Sequence, residues 1–168
     1  TYYLKAAELD SSAVIWNNIG VIYKNSEDYD NALKYYNKAI EVDSTYTTSF
    51  TNIAVIYENE LEDYDKALEY YSKSIEVDPN NDLVYYNRAD FYENIEEYDK
   101  AIIDLKKGME LAPDDHDYPF MLAFSYQNYK KDFDQAIFYY NKVIDLNPNE
   151  STTYSNIALI YRFSLNDD

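Results

Sequence analysis

The chain has 168 residues, a net charge of −18 and a pI near 4.2, a balance that repels nucleic-acid phosphates and anionic membranes, and its basic residues adjoin only at Lys106-Lys107 and Lys130-Lys131. It contains no cysteine, which excludes disulfides, thiolate metal sites and cysteine nucleophiles together. Hydrophobic residues make up 46% and aromatic ones 18%, with 22 tyrosines but only two glycines and four prolines, so the chain can bury a core and has little room for long irregular loops.

Taken in chain order, Tyr2-Tyr3-Leu4-Lys5-Ala6-Ala7-Glu8-Leu9-Asp10 has the pattern of the second helices described next. Trp16, Ile19, Gly20 and Tyr23 then recur at helical spacing and predict a helix from about Ala13 to Lys24. A polar turn, Asn25-Ser26-Glu27-Asp28, leads to a second helix that buries Tyr29, Ala32, Leu33, Tyr36, Ala39 and Ile40 and ends near Asp43-Ser44. The first pattern returns as Phe50/Ile53/Ala54/Tyr57, Tyr85/Arg88/Ala89/Tyr92, Pro119/Leu122/Ala123/Tyr126 and Tyr154/Ile157/Ala158/Tyr161. Gly20, Ala54, Ala89, Ala123 and Ala158 succeed one another at 34 or 35 residues, a period that signals a stack of helical hairpins.

Later boundaries are marked by Asp78-Pro79, Ala112-Pro113 and Asn147-Pro148, because proline disfavours helix in the residue before it. Asn80, Asn81, Asp114, Asp117, Asn149 and Ser151 stand where they can cap the following helix. Acids precede each second helix (Glu27-Asp28, Glu62-Asp63, Glu96-Glu97, Asp132) and Lys38, Lys73, Lys106 and Lys142 sit near the far ends, which complements the helix dipoles. Arg88 falls on the packing stripe and is expected to pair with a neighbouring acid. Two departures stand out. The second and fourth hairpin turns are one residue longer, and Pro119 takes the place of an aromatic, with the helix expected to start close to Asp117-Tyr118-Pro119.

The pattern resembles the tetratricopeptide repeat family, whose signature is Trp-x2-Leu-Gly-x2-Tyr followed by Ala, Phe or Tyr, and Pro. The resemblance implies an all-α, right-handed α-solenoid of helix-turn-helix tetratricopeptide repeats. The expected division is 1–12 as the second helix of a preceding repeat, repeats at 13–46, 47–81, 82–115 and 116–150, and 151–168 as the first helix of a following repeat. It also implies that the first helices line a concave groove for extended peptides or partner segments.

Opposite the packing stripe, the first helices carry Val14, Asn17, Asn18, Val21; then Thr48, Thr51, Asn52, Val55; then Leu83, Tyr86, Asn87, Asp90. The fourth unit gives Asp117, Phe120, Met121, Phe124, and the last gives Thr152, Ser155, Asn156, Leu159. The candidate groove is therefore Asn17, Asn18, Thr51, Asn52, Tyr86, Asn87, Asp90, Phe120, Met121, Phe124 and Asn156. Asn18, Asn52, Asn87 and Asn156 share one column, and an amide both donates and accepts, so such a column can hold a peptide backbone or bond between repeats. Phe120, Met121 and Phe124 form an apolar anchor in a groove that is otherwise polar. With Glu58, Asp90 and Glu93 in the groove, a neutral or basic segment is the favoured ligand.

Some functions are disfavoured. Heat-shock co-chaperones of this family grip a carboxylate with basic residues, but the equivalent positions here are Asn17, Leu83 and Asn87, with the asparagine Asn52 retained. The single histidine, His116, sits among Asp114, Asp115 and Asp117 without calcium-loop spacing or its glycine, and reads as a capping turn. No phosphate-cradling loop, nucleophile elbow or zinc motif occurs, so no catalytic residue, cofactor or metal is expected. A non-enzymatic protein-interaction scaffold is the leading reading. The alternatives are a structural or self-assembling spacer array, and the regulatory arm of an enzyme whose catalytic domain lies elsewhere. No apolar run spans a bilayer and the first residues lack a signal-peptide pattern, which favours the cytoplasm. The apolar faces of Tyr2, Tyr3, Ala6 and Leu9, and of Ile157, Ala158, Ile160 and Tyr161, are expected to support head-to-tail self-association.

Overall fold

The computed structural model describes residue 5 and residues 12–164, with the side chains of 163 and 164 excepted. Apart from Lys5 and Ser12, the helix expected in residues 1–12 lies outside the described residues, as does Leu165. Two compact units result, Thr1–Asn80 and Asn81–Asp168. Unit 1 contains α1 (Ala13–Asn25), α2 (Tyr29–Val42), α3 (Thr47–Asn59) and α4 (Tyr64–Val77). Unit 2 contains α5 (Asp82–Asn94), α6 (Tyr98–Leu111), α7 (Asp117–Ser125) prolonged by a π-helical turn (Tyr126–Lys130), α8 (Phe133–Leu146) and α9 (Ser151–Ser164).

Within each unit, consecutive helices pack as hairpins and then hairpin against hairpin. The small residues of the repeat make this possible. Ala32, Ala67, Ala101 and Ala136 are all fully buried, as are Ala39 and Ser74 in the column that continues with Gly108. Gly20 shows the closeness most clearly: a Cβ there would sit 2.5 Å from Tyr36 Cε1. Even alanine, a better helix former, would force the Tyr36 ring aside. In unit 1 the core cluster is Ala32, Tyr36, Ile53 and Ile56. In unit 2, Ala101, Leu105 and Leu122 hold the equivalent positions of Ala32, Tyr36 and Ile53 and are likewise buried.

The four hairpin turns share one backbone solution. Glu27, Glu62, Glu96 and Lys131 each adopt a positive φ between 50° and 62°, in the left-handed region that glycine usually supplies. The residue after each one donates its N–H to the carbonyl of the repeat tyrosine: Asp28 to Tyr23, Asp63 to Tyr57, Glu97 to Tyr92 and Asp132 to Tyr126. Asp28, Asp63 and Asp132 then accept from the N–H three residues on and cap α2, α4 and α8, whereas Glu97 makes no such bond. The acids before the second helices thus act by geometry as well as by charge. The extra residue of the longer turns is absorbed in two ways, as an open turn after α3 and as the wide turn Tyr126–Lys130 after α7.

At α5 and α7 the expected caps do not form. Asn81 and His116 precede α5 and α7 without a side-chain cap bond. Instead Asp43, Asp78 and Asp115 accept from N–H groups two residues on, at 2.9–3.1 Å, and fix the turns between repeats, while Glu150, directly before α9, accepts from the Thr152 N–H at 3.3 Å and caps that helix. The lysines near the ends of second helices also lie short of the last turn. Lys73, Lys106 and Lys142 rest over the rings of Tyr70, Tyr126 and Phe138.

The fourth hairpin exchanges large for small. Elsewhere the repeat aromatic follows a small or β-branched residue, as in Ser49-Phe50, Val84-Tyr85 and Thr153-Tyr154. Here Tyr118 precedes Pro119, and Tyr118 is 1% exposed. Its ring occupies the space a Cβ on Gly108 would need, and its hydroxyl donates to Asp82 Oδ2 at 2.7 Å. Pro119 is the third residue of α7, where a missing N–H costs nothing because that group has no intrahelical partner.

Candidate functional site

In unit 1, the face formed by α1 and α3 is closed by its own hydrogen bonds. Asn17 is 4% exposed, and its Oδ1 accepts from Asn52 Nδ2 at 2.9 Å and from Ser49 Oγ at 3.2 Å. Asn17 is therefore a strut between repeats, not a surface for a ligand, which corrects its place in the expected groove. Asn52 is half-buried, with one of its two donors spent on that strut. Thr51 Oγ1 donates to the Thr47 carbonyl and lies 3.3 Å from Ser74 Oγ. Asn18 remains exposed. Glu58, expected among the groove acids, is 5% exposed and accepts from the Tyr71 hydroxyl at 2.8 Å.

Unit 2 presents another chemistry on the same helical face. Leu83 is 62% exposed and Phe124 37%, while Tyr86, Asn87, Phe120 and Met121 are half-buried and Asp90 is exposed. Phe120 meets Tyr140 edge-on at 5.9 Å, so of the three expected anchors Phe124 presents the most surface. Phe124 in turn meets Tyr129, which stacks on Tyr98 at 4.0 Å. Tyr86 packs edge-on against Tyr118.

Beside these rings stand two carboxyls. Glu93 is half-buried and accepts from Ser125 Oγ. Desolvation, and then the charge of Asp90, raise its pKa above the ordinary 4.5, although the Ser125 bond works the other way. Desolvation also raises Asp90 above 3.8. Desolvation also raises the pKa values of Tyr86 and Tyr129, followed at Tyr86 by the charge of Asp117 and then those of Asp90 and Glu93, and at Tyr129 by the charge of Glu93, with a smaller part from Asp90. No lysine or arginine among the described residues forms an ion pair with Asp90 or Glu93. The contrast with Glu58 has a cause one helix away. Tyr71 supplies Glu58 with a phenol, but the equivalent of Tyr71 in the third hairpin is Leu105, which leaves Glu93 without one.

The asparagine column is put to different uses. Asn87 Nδ2 donates to the Leu83 carbonyl on its own helix at 2.7 Å, and Asn156 Nδ2 donates to the Tyr140 hydroxyl at 3.0 Å. Each amide keeps unspent hydrogen-bonding capacity, but the column is not a uniform ladder. Tyr129, Tyr98 and Ser125 were not among the expected residues. The extra residue in the fourth turn was the signal, since the wide turn it produces carries Tyr129 to Phe124.

Arg88 is paired as expected. Its Nε and Nη2 meet the two carboxylate oxygens of Asp104 at 2.7 and 2.8 Å, with Asp104 3% exposed. Burial opposes the charge on Arg88, but the bonds and charge of Asp104 prevail and raise its pKa. The carboxylates of Asp115 and Asp117 and the ring of His116 lie within 4.8 Å of one another. Asp115 Oδ1 there accepts from the Asp117 N–H, which makes this the turn into α7.

Tetratricopeptide repeat patterns match residues 13–46 and 48–81, with further forms of the same repeat at 70–103 and 120–150. The chain belongs to the tetratricopeptide repeat family. Its first residues, 1–11, match the Sel1 repeat. Among solved structures, that of MamA shares 24% identity with a TM-score of 0.72, over 87% of this chain and 84% of its own. PilF of Pseudomonas aeruginosa gives 23% and 0.76, over 94% and 71%. YrrB, described as a tetratricopeptide-repeat protein with an unusual peptide-binding site, gives 22% and 0.72, over 99% and 85%. These likenesses establish the right-handed α-solenoid fold. A curated relative, the photosystem I assembly protein Ycf3 of Rippkaea orientalis (strain PCC 8801 / RF-1), is 38% identical over 48 residues. That match spans 29% of this chain and 27% of the relative's length. The family supports a protein-interaction scaffold in general terms. No helix among the described residues is long and apolar enough to cross a membrane.

Proposed function

We propose that this protein is a non-enzymatic scaffold that binds an extended polypeptide segment on the first-helix face of unit 2, and that the segment pairs an apolar side chain with a basic one. The observation that carries this reading is the juxtaposition of exposed Leu83 and Phe124 with Asp90 and Glu93. Those carboxyls are partly desolvated and have no cation paired with them among the described residues. Burying an apolar side chain against Phe124 is worth about 1.5–3 kcal/mol, and Leu83 offers further apolar surface toward the other end of the same face. A lysine or arginine beside it would relieve the mutual repulsion of the two acids.

The half-used amides of Asn87 and Asn156 offer bonds to a passing backbone, and Phe120 and Met121 border the apolar part. On unit 1, Asn18, Thr51 and Asn52 offer weaker polar contacts. Support from relatives is general: one neighbour is described as peptide-binding and one relative is named for assembly.

The test is fluorescence anisotropy with labelled synthetic peptides of alternating leucine and lysine or leucine and glutamate. The leucine–lysine peptide is expected to bind, and Phe124→Ala and the pair Asp90→Asn/Glu93→Gln are each expected to weaken it at least tenfold, about 1.4 kcal/mol. Equal binding of the glutamate peptide, or no loss in either variant, would overturn the proposal.

A further inference from the structure

The exchange of Tyr118 and Pro119 carries an aromatic ring one residue earlier and puts a proline where the repeat has an aromatic. In the second and third hairpins, Phe50 and Tyr85 fill this position and are each 8% exposed. In the fourth hairpin the ring is carried one residue earlier, where Tyr118 packs over Gly108. What remains beside Pro119 is a hollow of about 300 Å³ lined by Met109, Pro113, Pro119, Lys142, Asp145 and Leu146. Its walls are apolar: a thioether, two proline rings and a leucine that is 41% exposed. Met109 of α6 and Lys142, Asp145 and Leu146 of α8 form most of its lining, and none of the residues proposed above for binding lines it.

We infer that this slot is a second binding site, which takes the tryptophan or tyrosine side chain of a basic partner segment. Shape gives the ring, because the positions equivalent to Pro119 hold Trp16, Phe50, Tyr85 and Tyr154. Charge gives the flanks. Lys142 at the rim stands over the Phe138 ring, 5.2 Å from its centroid, whereas Asp145 is exposed and Pro113 runs directly into Asp114 and Asp115. Asp145 can accept the indole N–H or phenol O–H that an apolar slot would otherwise leave unsatisfied. Lysines or arginines beside the ring would meet the acids around the rim. A pre-formed hollow costs the protein no rearrangement, which favours a small, rigid anchor.

The chain contains two methionines, and they report on different sites: Met109 lines this slot and Met121 stands on the first-helix face. Titration of the full chain carrying 13C-methyl methionine with N-acetyl-tryptophanamide is expected to shift the Met109 methyl upfield to saturation and leave Met121 in place. N-acetyl-leucinamide should bind several-fold more weakly. Pro119→Tyr restores the missing ring and should abolish the Met109 shift. If that variant does not fold, Leu146→Asn at the exposed rim should weaken the shift several-fold. An acetylated Lys-Trp-Lys peptide should bind several-fold more tightly than Glu-Trp-Glu. A silent Met109, a shift confined to Met121, persistence of the shift in folded Pro119→Tyr or Leu146→Asn, or equal affinity for the two tripeptides would overturn the inference.

Discussion

Helices α1 and α3 of unit 1 and α5 and α7 of unit 2 descend from the same repeat, yet their equivalent faces are used differently. In unit 1 the polar groups bond to one another: Asn17 holds Asn52 and Ser49, and Glu58 is satisfied by Tyr71. In unit 2, Glu93 lacks that tyrosine, Asp90 pairs with no cation among the described residues, and Leu83 and Phe124 are left exposed. The helix pairs are the same, so the difference rests on a few side chains and on the wide turn after α7. A repeat whose polar groups are consumed internally contributes stability, and one whose groups stay underused is, on the reading proposed above, the one left for recognition.

The largest expected effect tests whether unit 2 has its own internal strut. Asp104→Ala would remove the buried carboxylate that meets the half-buried guanidinium of Arg88, a loss of about 3–5 kcal/mol if the pair holds the unit together. Urea unfolding followed by circular dichroism reads it, and a paired apolar replacement, Arg88→Met with Asp104→Leu, should recover most of the loss. A change below about 1 kcal/mol for Asp104→Ala would show that water reaches the pair and that it does not hold the unit together.

The next effect sharpens the reading of unit 1. Asn17→Ala removes the acceptor of two bonds and should cost about 1–3 kcal/mol, with no loss of affinity for a leucine–lysine peptide. Tyr71→Phe leaves Glu58 buried without its phenol and should cost a similar amount. Tyr36→Phe should be close to neutral, because the buried Tyr36 hydroxyl has no hydrogen-bond partner among the described residues and burial already holds its pKa up at about 12. Equal losses for the two tyrosine variants would contradict the distinction.

How much of this was legible in the sequence depends on what kind of information each feature needs. The period and the helix pairs were plain, because a 34- or 35-residue recurrence of small and aromatic residues admits few other folds. The partner of Arg88 was foreseeable as an acid, since a charge on the packing stripe must be neutralised. The asparagine column was legible as a column but not as a function. The same amide bonds between repeats at Asn52, to its own helix at Asn87 and to a tyrosine at Asn156, and only the neighbours decide. Pro119 was visible as an oddity, but its compensation by Tyr118 over Gly108 depends on contacts between helices. The left-handed glutamates were hidden because glycine is the usual signal for that conformation.

Acid titration should separate the units by sign. Asp43 and Asp63 in unit 1 have pKa values lowered from 3.8, first by side-chain bonds with Thr45 and Lys66. Their contribution is present above the unfolded value and lost as pH falls through the folded one. Asp90 and Glu93 in unit 2 are raised, so their contribution is present below the unfolded values and lost as pH rises through the folded ones. Carboxyl chemical shifts recorded against pH would show the four groups in that order. Affinity for a basic peptide should fall as the raised pair protonates. A Glu93 midpoint at or below that of an exposed glutamate would remove the desolvation argument.

The smallest expected effect concerns α6, which among the described second helices is the one without a side-chain cap. Glu97→Asp would give α6 the arrangement seen at Asp63, which caps α4 and pairs with Lys66 at 2.8 Å. A gain of about 0.5–1 kcal/mol in thermal or urea unfolding is expected, with binding unchanged.

The most direct measurement is backbone-amide chemical-shift mapping of the whole chain during titration with the leucine–lysine peptide. The account predicts saturable shifts centred on Tyr86, Asp90, Glu93, Met121, Phe124 and Tyr129, with Asn17, Ser49 and Glu58 unmoved, and loss of those shifts in Phe124→Ala. Shifts concentrated on α1 and α3, or an unchanged map in a folded Phe124→Ala protein, would contradict the assignment of recognition to unit 2.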